Sequence, residues 1–162
     1  MIVLPADATD EQIKQLVIDW IAVVAEERYE EALGMLYQGT FNPFSDSLDP
    51  DGQRWTPELL QLALATYGCF DPEYDDGCRA APVTPLRERA FANYFSLERL
   101  TEKCWNLEPE DYAAIIHCWM PLNCTAPDLQ FADDEISDLT LRMFVRRVPD
   151  GLALELSLIH PQ

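Results

Sequence analysis

The chain is short of histidine, glycine and positive charge, and each shortage removes a class of chemistry. Two histidines among 162 residues, neither with a sequence neighbour that marks an activated base, and no Gly-x-Ser-x-Gly elbow leave nucleophilic catalysis without a signature. The six glycines form neither Gly-x-Gly-x-x-Gly nor a Walker pattern, so the common phosphate cradles are missing and no nucleotide cofactor is expected. No stretch reaches the roughly 18 consecutive apolar residues of a membrane span. The opening Met1-Ile2-Val3-Leu4-Pro5-Ala6-Asp7 has no basic segment ahead of an apolar one, so no export signal is expected and a cytoplasmic protein is. Only 11 Lys and Arg stand against 29 Asp and Glu, a formal net charge of -18. Such a surface repels nucleic-acid backbones and anionic lipid heads, and it draws in cationic partners at rates that fall with salt.

Cysteine is sparse in the same informative way. Five thiols, an odd number, suit a reducing compartment better than a disulfide framework. The gaps between Cys69, Cys78, Cys104, Cys118 and Cys124 lack the short paired spacing of structural zinc, and adjacent His117 and Cys118 on a strand point to opposite faces. Asp71, Glu73 and Asp75 alternate as calcium ligands do. The twelve-residue calcium loop, however, needs glycine sixth and glutamate twelfth, where this chain has Asp76 and Pro82. No metal is expected, and the cysteines read as small buried hydrophobes.

What is present is a core. With 48% hydrophobic residues the chain is not a disordered acidic tract, and residues 1–162 read as a single domain. Thr9-Asp10-Glu11-Gln12 is a capping box that starts a helix near Asp10, with Ile13, Leu16, Val17, Trp20 and Val24 at helical spacing. A bend near Ala25–Arg28 leads to a second short helix, Tyr29 to Tyr37. Residues 38–54, with Gly39, Pro43, Pro50 and Gly52, read as a surface loop. Thr56-Pro57-Glu58 opens a third helix over about 57–67. The stretch 87–103 reads as a helix or a strand-helix mixture.

From Tyr112 the period changes to two. Tyr112, Ala114, Ile116, Cys118 and Met120 fall on one face and Ala113, Ile115, His117 and Trp119 on the other, a strand apolar on both sides. Ser137 to Val148 and Gly151 to His160 form a closing hairpin. Two registers compete there. A bulged turn would pair Val148 with Leu152. A two-residue Asp150-Gly151 turn instead sets Arg146 opposite Glu155 and Val145 opposite Leu156, lining the leucines up with Leu141, Met143 and Val145. The second is favoured, because several apolar pairs and an ion pair outweigh the hydrogen bond that Pro149 cannot donate.

Helices first and antiparallel strands last imply an α+β domain, N-terminal helices packed on a curved antiparallel sheet. This order resembles the NTF2-like, or cystatin-like, superfamily. Ser137-Asp138-Leu139-Thr140, Leu154-Glu155-Leu156-Ser157-Leu158-Ile159-His160 and the Trp55 to Leu60 helix start also look like segments of an uncharacterised family of small bacterial proteins. That resemblance carries no known activity.

Two functions follow as expectations. Residues 1–81 hold 16 acids against 4 bases, and residues 82–162 hold 13 against 7. The acidic face therefore belongs to the N-terminal half, and Asp46, Asp49, Asp51, Asp71, Glu73, Asp75 and Asp76 are its candidate contacts. The leading reading is a binding protein, not an enzyme, that docks onto a basic protein partner, as toxin-neutralising immunity proteins plug the basic grooves of nucleases. The alternative is an NTF2-like small-molecule binder or pocket enzyme, with His117, Trp119, Arg142, Phe144 and His160 lining a space between helices and sheet. Self-association as a homodimer is a third arrangement. Arg142, Arg146 and Arg147 are expected to pair with Glu155 and other acids.

Overall fold

The computed structural model describes residues 1–40, 52–65, 95–104, 107–120 and 139–161. Within them α1 (Asp10–Ala25), α2 (Tyr29–Met35) and α3 (Pro57–Ala65) precede β1 (Phe95–Arg99), β2 (Tyr112–Trp119), β3 (Leu139–Val148) and β4 (Gly151–Pro161). The capping box forms: the Thr9 hydroxyl accepts from the Gln12 amide at 3.3 Å, and Gln12 Oε1 accepts from the Thr9 amide at 2.9 Å. Ile13, Leu16, Val17, Trp20, Ile21, Val23 and Val24 are buried along α1. Each large side chain so buried contributes about 1.5–3 kcal/mol. The chain turns sharply at Glu27, whose φ of 58° is left-handed, and the Trp20 indole then donates to Ala32 O at 3.0 Å, fastening α2 to α1.

The expected second helix runs two residues too far. It ends at Met35 because Tyr37 is drawn to the sheet, its amide donating to Leu154 O at 2.7 Å. The third helix starts at Pro57 as expected, with the Thr56 hydroxyl accepting from the Leu59 amide; its expected end near residue 67 and most of the 38–54 loop lie outside the described residues.

The strands make one antiparallel sheet in the order β1-β2-β3-β4, so the α+β architecture is observed. All three helices pack on one face, against Ala114, Ile116 and Cys118 of β2, Leu141, Met143 and Val145 of β3, and Leu152, Leu154, Leu156 and Ile159 of β4. The other face carries a smaller core of Leu100, Leu107, Tyr112, Ile115 and Phe144. Tyr112 is a correction. A bulge between Tyr112 and Ala114 turns its ring to the second face, while Ala113 and Ala114 both join the helix-side core.

The closing hairpin follows neither competing register. Val148 pairs with Gly151, so Pro149 and Asp150 are the turn residues and Val145 lies opposite Leu154. This slide takes proline out of the ladder, where its missing amide would cost a hydrogen bond. A two-residue slide preserves the facing of every side chain, so Val145 and Met143 still meet leucines. A bulge between Arg142 and Met143 then sets Leu158 opposite Arg142 and Ile159 opposite Leu141, removing Leu158 from the helix-facing line.

The outer edge of β4 is covered by three separate segments. Leu4 and Leu152 exchange backbone hydrogen bonds of 2.8 and 2.9 Å, Tyr37 donates to Leu154 O, and the Trp55 indole donates to Leu156 O at 3.1 Å. Gly151, at φ 147°, must be glycine because a Cβ there would lie 2.0 Å from Leu4 O. An edge strand so occupied offers no template for a foreign strand.

Candidate functional site

Alternation from the helix-side core places side chains on the second face of the sheet. Phe95 and Leu97 pack toward the helices, so Ser96 and Glu98 face away from them; on β2, Ile115, His117 and Trp119 do so, and on β3 Thr140, Arg142, Phe144 and Arg146. His160, opposite Thr140, joins them. The five residues expected to line a pocket therefore do share one face. It is the face turned away from the helices, which corrects the expected space between helices and sheet: that space is filled by apolar side chains, Trp20 and Trp55 among them. Phe144 packs edge-to-face on Tyr112 at 5.6 Å and is a core residue.

Two polar rows cross this face. Ser96 lies opposite His117 and His117 opposite Arg142; Trp119 lies opposite Thr140 and Thr140 opposite His160. Ser96 and Glu98 are exposed, His117 and Trp119 half-buried, and Arg142 only 4% exposed. Burial, then the charge of Arg142 and then His160, hold the His117 imidazole below its ordinary range, with Glu98 pulling weakly the other way. His117 is thus neutral at pH 7.

A second constellation sits at the far end of the same face. Glu155, 2% exposed, accepts from Arg146 Nη1 at 3.1 Å, and the same nitrogen donates to the Tyr112 hydroxyl at 2.7 Å. The Arg146 guanidinium lies over the Tyr37 ring at 4.4 Å and the Tyr112 ring at 5.1 Å. Burial pushes the Glu155 carboxyl up, against the opposing pull of Arg146 and Tyr112. Burial and the Glu155 charge raise the Tyr112 phenol. Gly39 completes the setting, since a Cβ there would lie 1.6 Å from Glu155 Oε1. The expected pairing of Arg146 with Glu155 forms, but diagonally, because Glu155 sits opposite Phe144. Arg147 instead donates to Pro109 O at 2.9 Å.

Cys118 is buried and its thiol is pushed up to about 12 by desolvation, which makes it unreactive. Among the described residues, no three His, Cys, Asp or Glu side chains gather as a metal site requires, and no helix is long and apolar enough to cross a membrane. Cys69, Cys78, Cys124 and the calcium-like run lie outside the described residues.

The acidic contacts Asp46, Asp49, Asp51, Asp71, Glu73, Asp75 and Asp76 also lie outside them. What is described is the acidic elbow between α1 and α2. There an open groove of about 500 Å³ is lined by Glu27, Arg28, Tyr29, Glu30, Glu31 and Pro57. Arg28 is bridged to Glu26 at 2.9 Å and to Glu31 at 2.6 Å, so one cation answers two of the four glutamates around it. Glu26 and Glu27 follow the last turn of α1, which has no basic residue to meet the negative helix end.

Ser96, Tyr37 and Tyr112 were not among the expected site residues. Phe95-Ser96-Leu97-Glu98 alternates strictly, and that alternation is the signal that assigns Ser96 to the face of His117 once the segment is recognised as a strand.

No protein family, curated protein or solved structure matches the chain in any of the three comparisons.

Proposed function

We propose that this chain is a small acidic cytoplasmic binding protein that docks onto a basic protein partner, with neutralisation of a basic toxin as one setting. One observation carries the reading: the surplus of acid is large, -18 over the chain, and at the α1–α2 elbow a single arginine stands among four glutamates and bridges two of them. Helices followed by a β1-β2-β3-β4 meander are compatible with an NTF2-like or cystatin-like domain. A domain of this charge avoids nucleic acid and anionic membranes and gains encounter rate with cations.

The test is capture of partners from a native lysate on the immobilised chain at about 0.05 M and then about 0.5 M salt, a range over which screening of exposed charge becomes severe. Basic proteins retained at low salt and released at high salt support docking. Retention unaffected by salt, or equal retention by a Glu30→Lys, Glu31→Lys variant and its parent, argues against the elbow as a contact.

A second reading is favoured by the polar rows. An exposed serine, a half-buried neutral histidine and a buried arginine on one sheet face, beside a half-buried tryptophan, have the composition of a small-molecule site. In this reading the chain is a ligand-binding protein that uses the face away from its helices.

A further inference from the structure

The row formed by Ser96, His117 and Arg142 has a definite chemistry. Residues directly opposite one another in an antiparallel ladder have Cβ atoms about 4.5–5.5 Å apart. The hydroxyl, the imidazole and the guanidinium therefore follow one line across β1, β2 and β3, about 10 Å from end to end. Their exposure is graded along that line. Ser96 is open to solvent, His117 is half-buried, and Arg142 lies behind it in the interior. A ligand arriving at the rim meets a hydroxyl donor first, then an imidazole whose neutral form offers one N–H donor, with a fixed positive charge one register step further in. Donors backed by a cation recognise an oxyanion.

Two neighbours narrow the class. Trp119 lies two residues along β2 on the same face and is half-buried, so it presents an apolar wall to the body of a ligand whose anionic head reaches His117. Glu98, exposed and diagonal to His117, offsets part of the attraction of Arg142, and a second negative charge would raise the cost of desolvation about four-fold while only doubling that net attraction. The balance favours a single negative charge attached to an apolar or aromatic body.

We propose that Ser96, His117 and Arg142 form a binding row for a small monocarboxylate with an aromatic or apolar body, its head at Ser96 and His117 and its body against Trp119. This rests on the ligand-binding reading above and is independent of docking to a basic partner. Ser96 and His117 touch the carboxylate; Arg142 acts through its charge. Among the described residues, the titratable and charged groups facing His117 are Arg142 on β3, His160 on β4 and Glu98 on β1.

With only two histidines in the chain, proton NMR of the imidazoles is a direct probe, and a His160→Asn variant assigns the signals. Benzoate is titrated against sodium chloride of equal ionic strength, with acetate, benzamide and inorganic phosphate as further arms. A bound carboxylate favours the imidazolium, so benzoate should raise the His117 titration midpoint by about half a pH unit or more while moving His160 less. Acetate should act more weakly than benzoate. Ser96→Ala, at an exposed position that does not endanger folding, should weaken the benzoate response about five-fold or more. No response beyond that of chloride, an equal response at His160, or an unchanged response in Ser96→Ala would overturn the proposal. So would a response to phosphate and none to benzoate. Binding of benzamide as tight as that of benzoate would refute carboxylate recognition and leave the ligand-binding reading standing. Silence from benzoate, acetate and benzamide alike would remove both.

Discussion

Arg146 and Glu155 form an asymmetric pair, and the asymmetry can be measured. The Glu155 side chain is 2% exposed and that of Arg146 is 27% exposed. Removing the arginine, as in Arg146→Met, strands a buried carboxylate, and breaking such a pair costs about 3–5 kcal/mol. Two ring contacts, with Tyr37 and Tyr112, are lost with it. Removing the carboxylate, as in Glu155→Met, leaves a guanidinium that already reaches water and keeps both rings, so the loss should be nearer about 1–2 kcal/mol. Replacing the whole network by Arg146→Met, Glu155→Met and Tyr112→Phe together should recover most of the loss, because no buried polar atom is then left without a partner. Urea denaturation with linear extrapolation reads all three, and an unchanged slope checks that the native fold persists. Acid provides a second readout. Without Arg146 the folded carboxyl pKa rises further above its ordinary 4.5, so the variant binds a proton on folding and regains stability as pH falls through that window, by up to about 1.4 kcal/mol per pH unit. A loss under about 1 kcal/mol in Arg146→Met, or a larger loss in Glu155→Met, would refute the reasoning.

Three further outcomes are expected. Gly39→Ala should destabilise by about 1–3 kcal/mol, since its Cβ would meet a carboxylate that Arg146 and Tyr112 hold in place, and the penalty should shrink when Glu155→Ala is added; additivity in that cycle would show that the two positions do not touch. Gly151→Ala should cost a similar amount through its left-handed φ and the Leu4 carbonyl, about 1–3 kcal/mol, and deleting residues 1–4 should narrow the gap between the Gly151→Ala variant and its parent in thermal melts. The His117 imidazole is held below 6.5 in the fold, so its contribution is complete above pH 6.5 and is lost as pH falls through the folded value. The stability difference between wild type and His117→Phe should therefore decline across that window, and a difference independent of pH would exclude the linkage.

Local signals were legible where one segment determined its own structure. Thr9 and Gln12 cap α1 because their spacing allows nothing better, and Thr56-Pro57 starts α3 for the same reason. Signals that depend on a distant partner were not. Tyr37 looks helical beside Leu33 and Leu36, yet the free carbonyl of Leu154 takes its amide. In the closing hairpin, alternation specified which side chains share a face but not the pairing, since a slide of two residues satisfies the same pattern; the proline decided it. Tyr112 followed the period of two on paper and left it at a bulge that no residue type announces. For the site, alternation grouped His117 with Trp119 and Arg142 with Phe144, but it put His160 in line with Leu154 and Leu156, a placement that the bulge between Arg142 and Met143 reverses. It could not tell which side the helices would cover, because both faces of β2 are apolar. Ser96 stayed hidden within a stretch whose few alternating residues were too short to read as a strand.

The covering of β4 also bears on how the chain is made. Leu4, Tyr37 and Trp55 leave the ribosome long before Leu152, Leu154 and Leu156, the residues whose backbone groups they occupy, and the apolar stripes of α1, α2 and α3 emerge before any strand that buries them. Synthesis at about 5–20 residues per second therefore holds the helical half in wait for seconds with its greasy surface unclaimed. Over that interval the dense negative charge of the same half acts as a temporary solubiliser, holding nascent chains apart until the last strand arrives.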